Sequence, residues 1–117
     1  MDIRKYDDCI EACRACASAC QQCISACLLE SDVKSLIRCI ELCRSCATIS
    51  ASAAEILSCD SEFTQEMSSL CAEIARECAQ ECAKHPALGH CQRCAEVCRM
   101  TTDLCLDIVN TLPVQPL

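Results

Sequence analysis

Apolar and small residues recur at steps of three and four along four stretches of the 117-residue chain, with charged and polar residues between them. That is the period of an amphipathic helix, and it predicts helices over about 3–29, 33–57, 62–84 and 88–110, with an irregular tail over 111–117. Ser31 and Asp32 offer a cap ahead of the second helix. Ser61 precedes the third, whose opening turns carry Glu62 and Glu66 and so suit the helix dipole. His85-Pro86 ends it, because the residue before a proline is pushed out of helical conformation. Connections this short join antiparallel neighbours, so the expected fold is all-α: one domain, 1–117, folded as an up-down four-helix bundle.

The positions that should face the core are unusual. In the first segment the 4-3-4-3-4 seam reads Cys9, Cys13, Cys16, Cys20, Cys23 and Cys27. These are the a and d positions of a bundle, each filled by cysteine. Ile10, Ala12, Ala17, Ala19, Ile24 and Ala26 widen the apolar face, and Glu11, Arg14, Ser18, Gln21, Gln22 and Ser25 cover the far side. The second segment carries Cys39, Cys43 and Cys46, continues through Ser50 and Ala53, and has Cys59 at or just past its end. The third carries Met67, Cys71, Ala75, Cys78, Cys82 and His85; the fourth carries Cys91, Cys94, Cys98, Thr101, Cys105 and Ile108.

Folding the four seams antiparallel from the loop lengths gives a set of layers. One end holds Cys27, Leu36, His85 and Cys91. Behind it lie two layers of four thiols, Cys23/Cys39/Cys82/Cys94 and Cys20/Cys43/Cys78/Cys98. Then come Cys16/Cys46/Ala75/Thr101 and Cys13/Ser50/Cys71/Cys105, and the far end closes on Cys9, Ala53, Met67 and Ile108.

Composition sharpens this picture. There are 17 cysteines, one Phe, one Tyr, no Trp and a single Gly, so both the usual large core fillers and the turn chemistry of an all-β fold are scarce. The formal charge of −7 speaks against nucleic acid or an anionic membrane as partner, since both demand basic surface. No apolar run reaches the ~18 residues of a membrane-spanning helix. The first residues, Met1 to Asp8, contain no apolar signal region, which leads to the expectation of a cytoplasmic protein. In a reducing compartment many cysteines point to metal or redox chemistry more than to a disulfide scaffold.

A lone buried cysteine is simply a small hydrophobe. A whole seam of them would leave the core underpacked, because shrinking core side chains costs stability. Residues four apart on a helix have Cβ atoms about 5–6 Å apart, beyond the roughly 3.5–4.5 Å of a disulfide. Two metal–sulfur bonds of about 2.3 Å in line span about 4.6 Å and do fit, and thiolates select Cu(I). The pairs at this spacing are Cys9/Cys13, Cys16/Cys20, Cys23/Cys27, Cys39/Cys43, Cys78/Cys82 and Cys94/Cys98. Cys13/Cys16, Cys20/Cys23, Cys43/Cys46 and Cys91/Cys94, three apart, join them into ladders. Zinc fits less well, since closed four-ligand sites would leave more than half the thiols unused. No iron–sulfur run is present. A structural bundle with a partly disulfide-linked core, a zinc or iron–sulfur thiolate protein, and a thiol redox buffer stay as alternatives.

The file Cys9-x₃-Cys13-x₂-Cys16-x₃-Cys20-x₂-Cys23-x₃-Cys27, repeated more loosely on three further helices, resembles the bacterial copper storage proteins, and over nearly the whole chain. The resemblance implies a non-enzymatic four-helix bundle, usually a homotetramer, whose inward thiolates hold many Cu(I) ions. It is similar to the cytosolic branch of that family and departs at Ser50, Ala53, Ala75 and Thr101, where seam positions lack thiols. The ligand set is then all seventeen cysteines, with His85 as a further ligand at the mouth beside Cys27 and Cys91 or, equally, as a helix-end cap. His90 reads as solvated, Met67 as core filler, and Met100 as outward-facing. Copper would pass through the His85 end, delivered by a copper chaperone or a low-molecular-weight copper ligand.

Overall fold

The computed structural model of the chain describes residues 5–111 and contains four α-helices: α1 (Asp7–Cys27), α2 (Ile37–Ser58), α3 (Thr64–Ala83) and α4 (Gly89–Thr111). There is no strand among the described residues. The expected start of the first helix at Ile3, and the tail beyond Thr111, lie outside the described residues. Each helix packs against its two neighbours in the ring α1–α2–α3–α4. Antiparallel order is written in the thiol contacts: Cys9 of α1 meets Cys105 late in α4, and Cys27 meets Cys91 early in it. The bundle is a rod of 50 × 25 × 18 Å.

The ends of the helices depart from the expected bounds for identifiable reasons. Asp32 makes no side-chain cap; Ser35 Oγ instead donates to the Asp32 carbonyl, and Val33–Leu36 forms a 3-10 turn that drives Leu36 into the core at 2 % exposure. α2 ends in a Schellman arrangement. The Asp60 N–H donates to the Leu57 carbonyl, the Ser61 N–H to that of Ile56, and Asp60 takes φ 50. Asp is among the few non-glycine residues that visit the left-handed region readily. Thr64 rather than Ser61 opens α3, with Thr64 Oγ1 donating back to the Ser61 carbonyl. At the other end of α3, Gln92 Nε2 reaches across from α4 to the carbonyls of Cys82 and His85, adding to the turn bonds those carbonyls already accept from the His85 and Leu88 N–H groups.

The α3 seam also runs differently from the expectation. Thr64, Ser68, Cys71, Ala75, Cys78 and Cys82 are buried in steps of 4, 3, 4, 3 and 4, while Met67 is only half-buried and packs at the edge of the core. The 4-3 rule applies from Cys82 down to Cys71 on either reading; below that point a step of three selects Ser68 where a step of four selected Met67. The buried side chains fall into two groups. One runs from Cys16 to Cys27 with Cys39–Cys46, Cys78, Cys82 and Cys91–Cys98, and the other gathers Tyr6, Cys9, Cys13, Ala54, Leu57, Cys71, Cys105 and Ile108.

Sixteen of the seventeen cysteines are buried and Cys59 is exposed. A thiol reagent added to the native, reduced, metal-free protein should therefore modify one thiol quickly, and the rest only on unfolding. Rapid modification of many thiols would show that the core is open.

Candidate metal centre

Every helix presents its thiols inward because sixteen of the cysteines sit at seam positions, and the thiols of facing helices come into contact. Sγ–Sγ distances are 3.6 Å for Cys16–Cys46 and Cys39–Cys82, 3.7 Å for Cys16–Cys98 and Cys43–Cys78, and 3.8 Å for Cys20–Cys94, Cys43–Cys82 and Cys43–Cys94. All seventeen cysteines are free thiols. Their sulfurs collect into four sets of four, each within 4.8 Å: Cys16/Cys20/Cys46/Cys98, Cys20/Cys43/Cys78/Cys94, Cys23/Cys39/Cys43/Cys82 and Cys23/Cys27/Cys39/Cys91.

These tetrads overlap. Cys20 belongs to the first and second, Cys43 to the second and third, and Cys23 and Cys39 to the third and fourth. The flat layers expected from loop lengths are thus replaced by a staggered ladder. α1, α2 and α3 sit in the expected register, with Cys20 level with Cys43 and Cys78, but α4 is displaced by one level: Cys91 joins the Cys23/Cys27/Cys39 set, Cys94 the Cys20/Cys43/Cys78 set and Cys98 the Cys16/Cys20/Cys46 set. Three of the four tetrads contain a pair four apart on one helix, and none contains a pair three apart. Side chains four apart rise one above the other on a helix face, so their sulfurs can converge on one point.

Beyond Cys16 the ladder stops. The next level carries Ser50, Ala75 and Thr101, all fully buried. Ser50 Oγ lies 3.8 Å from Cys46 Sγ on one side and 3.7 Å from Cys71 Sγ on the other. Thr101 Oγ1 is directed at the main-chain carbonyls of Ala12 and Val97. Past this belt, Cys9, Cys13 and Cys105 form a further set within 4.8 Å, with Cys71 beside them in the same packed group.

Proton affinities differ along the rod. Burial, then the neighbouring Cys39 thiol, pushes the Cys27 and Cys91 thiols up, so both are held neutral at pH 7. Beyond the belt, hydrogen bonds from Cys105 and then Cys13 hold Cys9 and Cys71 down to about 4. Hydrogen bonding to Cys13, Cys71 and Cys9 keeps the proton on Cys105.

Three sequence-based placements change. Cys59 caps α2 and turns its thiol back to the Glu55 and Ile56 carbonyls; the turn that ends α2 carries it out of the core and away from every thiol cluster among the described residues. His85 is not set against the mouth thiols: its Nε2 lies 3.3 Å from Glu81 Oε2. The Glu81 carboxylate, 8 % exposed, also receives Arg38 from α2 and Lys84, so His85 belongs to an ionic clasp between α2 and α3. The histidine at the thiols is His90, whose Nε2 is 3.5 Å from Cys27 Sγ. His90 falls in the first turn of α4, beside Cys91 rather than on the cysteine seam.

A profile of the family described as copper storage protein matches residues 2–110. The chain is 44 % identical to the uncharacterized cysteine-rich protein YhjQ of Bacillus subtilis over 97 residues, spanning 83 % of this chain and 89 % of that one. Among solved structures it is similar to Cu(I)-bound copper storage protein BsCsp3, with TM-score 0.85 and 40 % identity over 92 % of this chain and 99 % of that one; the apo form of Csp3 from Bacillus subtilis matches comparably. A cytosolic copper storage protein from Streptomyces lividans, solved during copper loading with five coppers, gives TM-score 0.90 and 34 % identity over 95 % of this chain and 97 % of that one. With its cysteine file, its four-helix bundle and a profile match along almost its whole length, the chain belongs to the copper storage protein family.

Proposed function

We propose that this protein stores Cu(I) on its inward thiolates and is not an enzyme. The observation that carries the reading is the sharing of thiols between successive tetrads. A closed zinc site owns its four ligands, and the ladder contains at most two tetrads with no cysteine in common. Cu(I) is satisfied by two thiolates, and a thiolate can bridge two ions, so a continuous ladder of sulfurs 3.6–4.0 Å apart suits it along its whole length. Each thiolate is matched by about one Cu(I), so thiolate and metal charges nearly cancel and the filled core carries little unpaired charge. The ligands are the sixteen buried cysteines; Cys59 is exposed and serves as a helix cap.

The cytosolic Streptomyces relative, together with the absence of any helix long and apolar enough to cross a membrane among the described residues, supports a cytoplasmic store. Half-exposed Leu28, Ile37, Leu70, Met100 and Leu106 would be covered in a homotetramer. Delivery by a copper chaperone or a low-molecular-weight copper ligand would converge on the end where His90 meets Cys27. His90 takes there the mouth role that the sequence suggested for His85.

Anaerobic titration should show uptake of more than about ten Cu(I) per chain, approaching one per buried thiol, because ligands are shared. The ladder thiols at the mouth are protonated at neutral pH, so filling releases protons and weakens as pH falls. Saturation at two to four ions with no further uptake would contradict storage. Loading should also raise the melting temperature, since the ions bind only the folded arrangement; an unchanged melting temperature would mean the ions sit outside the bundle. His90→Ala should slow copper removal by a chelator while leaving capacity within one ion of wild type, and His85→Ala should leave the rate unchanged. Equal rates for all three proteins would remove His90 from the route.

A further inference from the structure

The four ladder tetrads are linked, each to the next, by at least one common thiol. The set beyond the Ser50/Ala75/Thr101 belt shares none with them, and it packs in a separate buried group under Tyr6, Leu57 and Ile108. We infer that the core is two Cu(I) compartments and not one: a ladder of twelve thiols from Cys16 to Cys91, and a separately filled site made by Cys9, Cys13, Cys71 and Cys105. The inference rests on the storage reading and goes beyond it.

The belt is a chemical break. Cu(I) moves between sites by exchanging one soft donor for another, and thiolates are the soft donors here. At the belt the facing groups are a methyl, a hydroxyl occupied with main-chain carbonyls, and the Ser50 hydroxyl. The Ser50 hydroxyl touches Cys46 and Cys71 at once and stands in the gap with the wrong ligand chemistry. The one thiol step past it along a helix is Cys13 to Cys16, three residues apart, a spacing that no cluster uses among the described residues. On α3 the seam position on the far side of Cys71 from the belt is Ser68, whose hydroxyl is fully buried and finds no hydrogen-bond partner among the described residues. An orphaned buried hydroxyl is costly.

The test follows copper leaving the fully loaded protein, under anaerobic conditions, into excess bicinchoninate, a chromogenic Cu(I) chelator. Wild type should release its copper in two phases, with about a quarter in the phase belonging to the small compartment if each buried thiol accounts for about one ion. The C9S/C13S/C71S/C105S variant should lose that phase and about a quarter of the capacity, with the other phase unchanged. Ser50→Cys puts a thiol where the Ser50 hydroxyl already reaches both compartments and should merge the two phases, while Ser50→Ala should leave them separate. A wild type that fills completely but empties in a single phase overturns the inference and leaves storage intact. So does a Ser50→Cys protein that still shows both phases. A wild type that takes up only a few ions overturns the storage reading and this inference with it.

Discussion

Everything in this fold depends on sulfur meeting sulfur across the bundle axis. A four-helix bundle ordinarily closes its axis with branched side chains interlocked between helices. Here the axis is closed by thiols in contact at 3.6–4.0 Å, smaller and softer than leucine. The apolar stabilisation that remains comes from alanines beside the seam, such as Ala47, Ala79 and Ala95, and from isoleucines and leucines at its edges, Ile24, Ile40, Leu42 and Ile74 among them. This trade gives up part of the burial that holds an ordinary bundle together and leaves a column of ligands that metal can knit from four helices at once. Loading and folding are then two aspects of one equilibrium.

The fold was legible because its period was unbroken. Six cysteines on α1 at steps of four and three leave no other face to bury, and the His85-Pro86 break and the short loops then impose the antiparallel order. What could not be read was anything that hinges on a fraction of a turn. The one-level displacement of α4 against the other three helices is such a feature, and no pattern in the seam specifies it. The same holds for the histidines. His85 lies on the cysteine period and His90 does not, yet Glu81 holds His85 in a clasp with Arg38 and Lys84, and it is His90 that meets Cys27. Glu81 on α3, four residues before His85, was the available signal, because side chains four apart on a helix face each other and a carboxylate there can hold the imidazole.

Cys59 and Ser68 teach the complementary lesson. A cysteine-rich sequence invites every cysteine into the ligand set, but Cys59 is followed by Asp60 and Ser61, and the Schellman turn those residues make takes it out of the core. Ser68 carries no thiol and invites no notice, yet it holds a fully buried seam position where Met67 had seemed the natural filler. Seam identity near a helix end is set by which way the entering loop aims the first turn, and that information resides in Phe63, Thr64 and their bonds to Ser61 more than in the hydrophobicity of the seam.

The central claim is that copper is held by this chain's own inward sulfurs and by little else. Copper K-edge X-ray absorption on the fully loaded protein measures that directly. The expected result is Cu(I) with a first shell of sulfur alone at about 2.3 Å, the usual metal–thiolate distance, and a further scatterer from copper neighbours bridged by common thiolates. A first shell dominated by nitrogen or oxygen, or isolated copper with no copper neighbour at high loading, would contradict it.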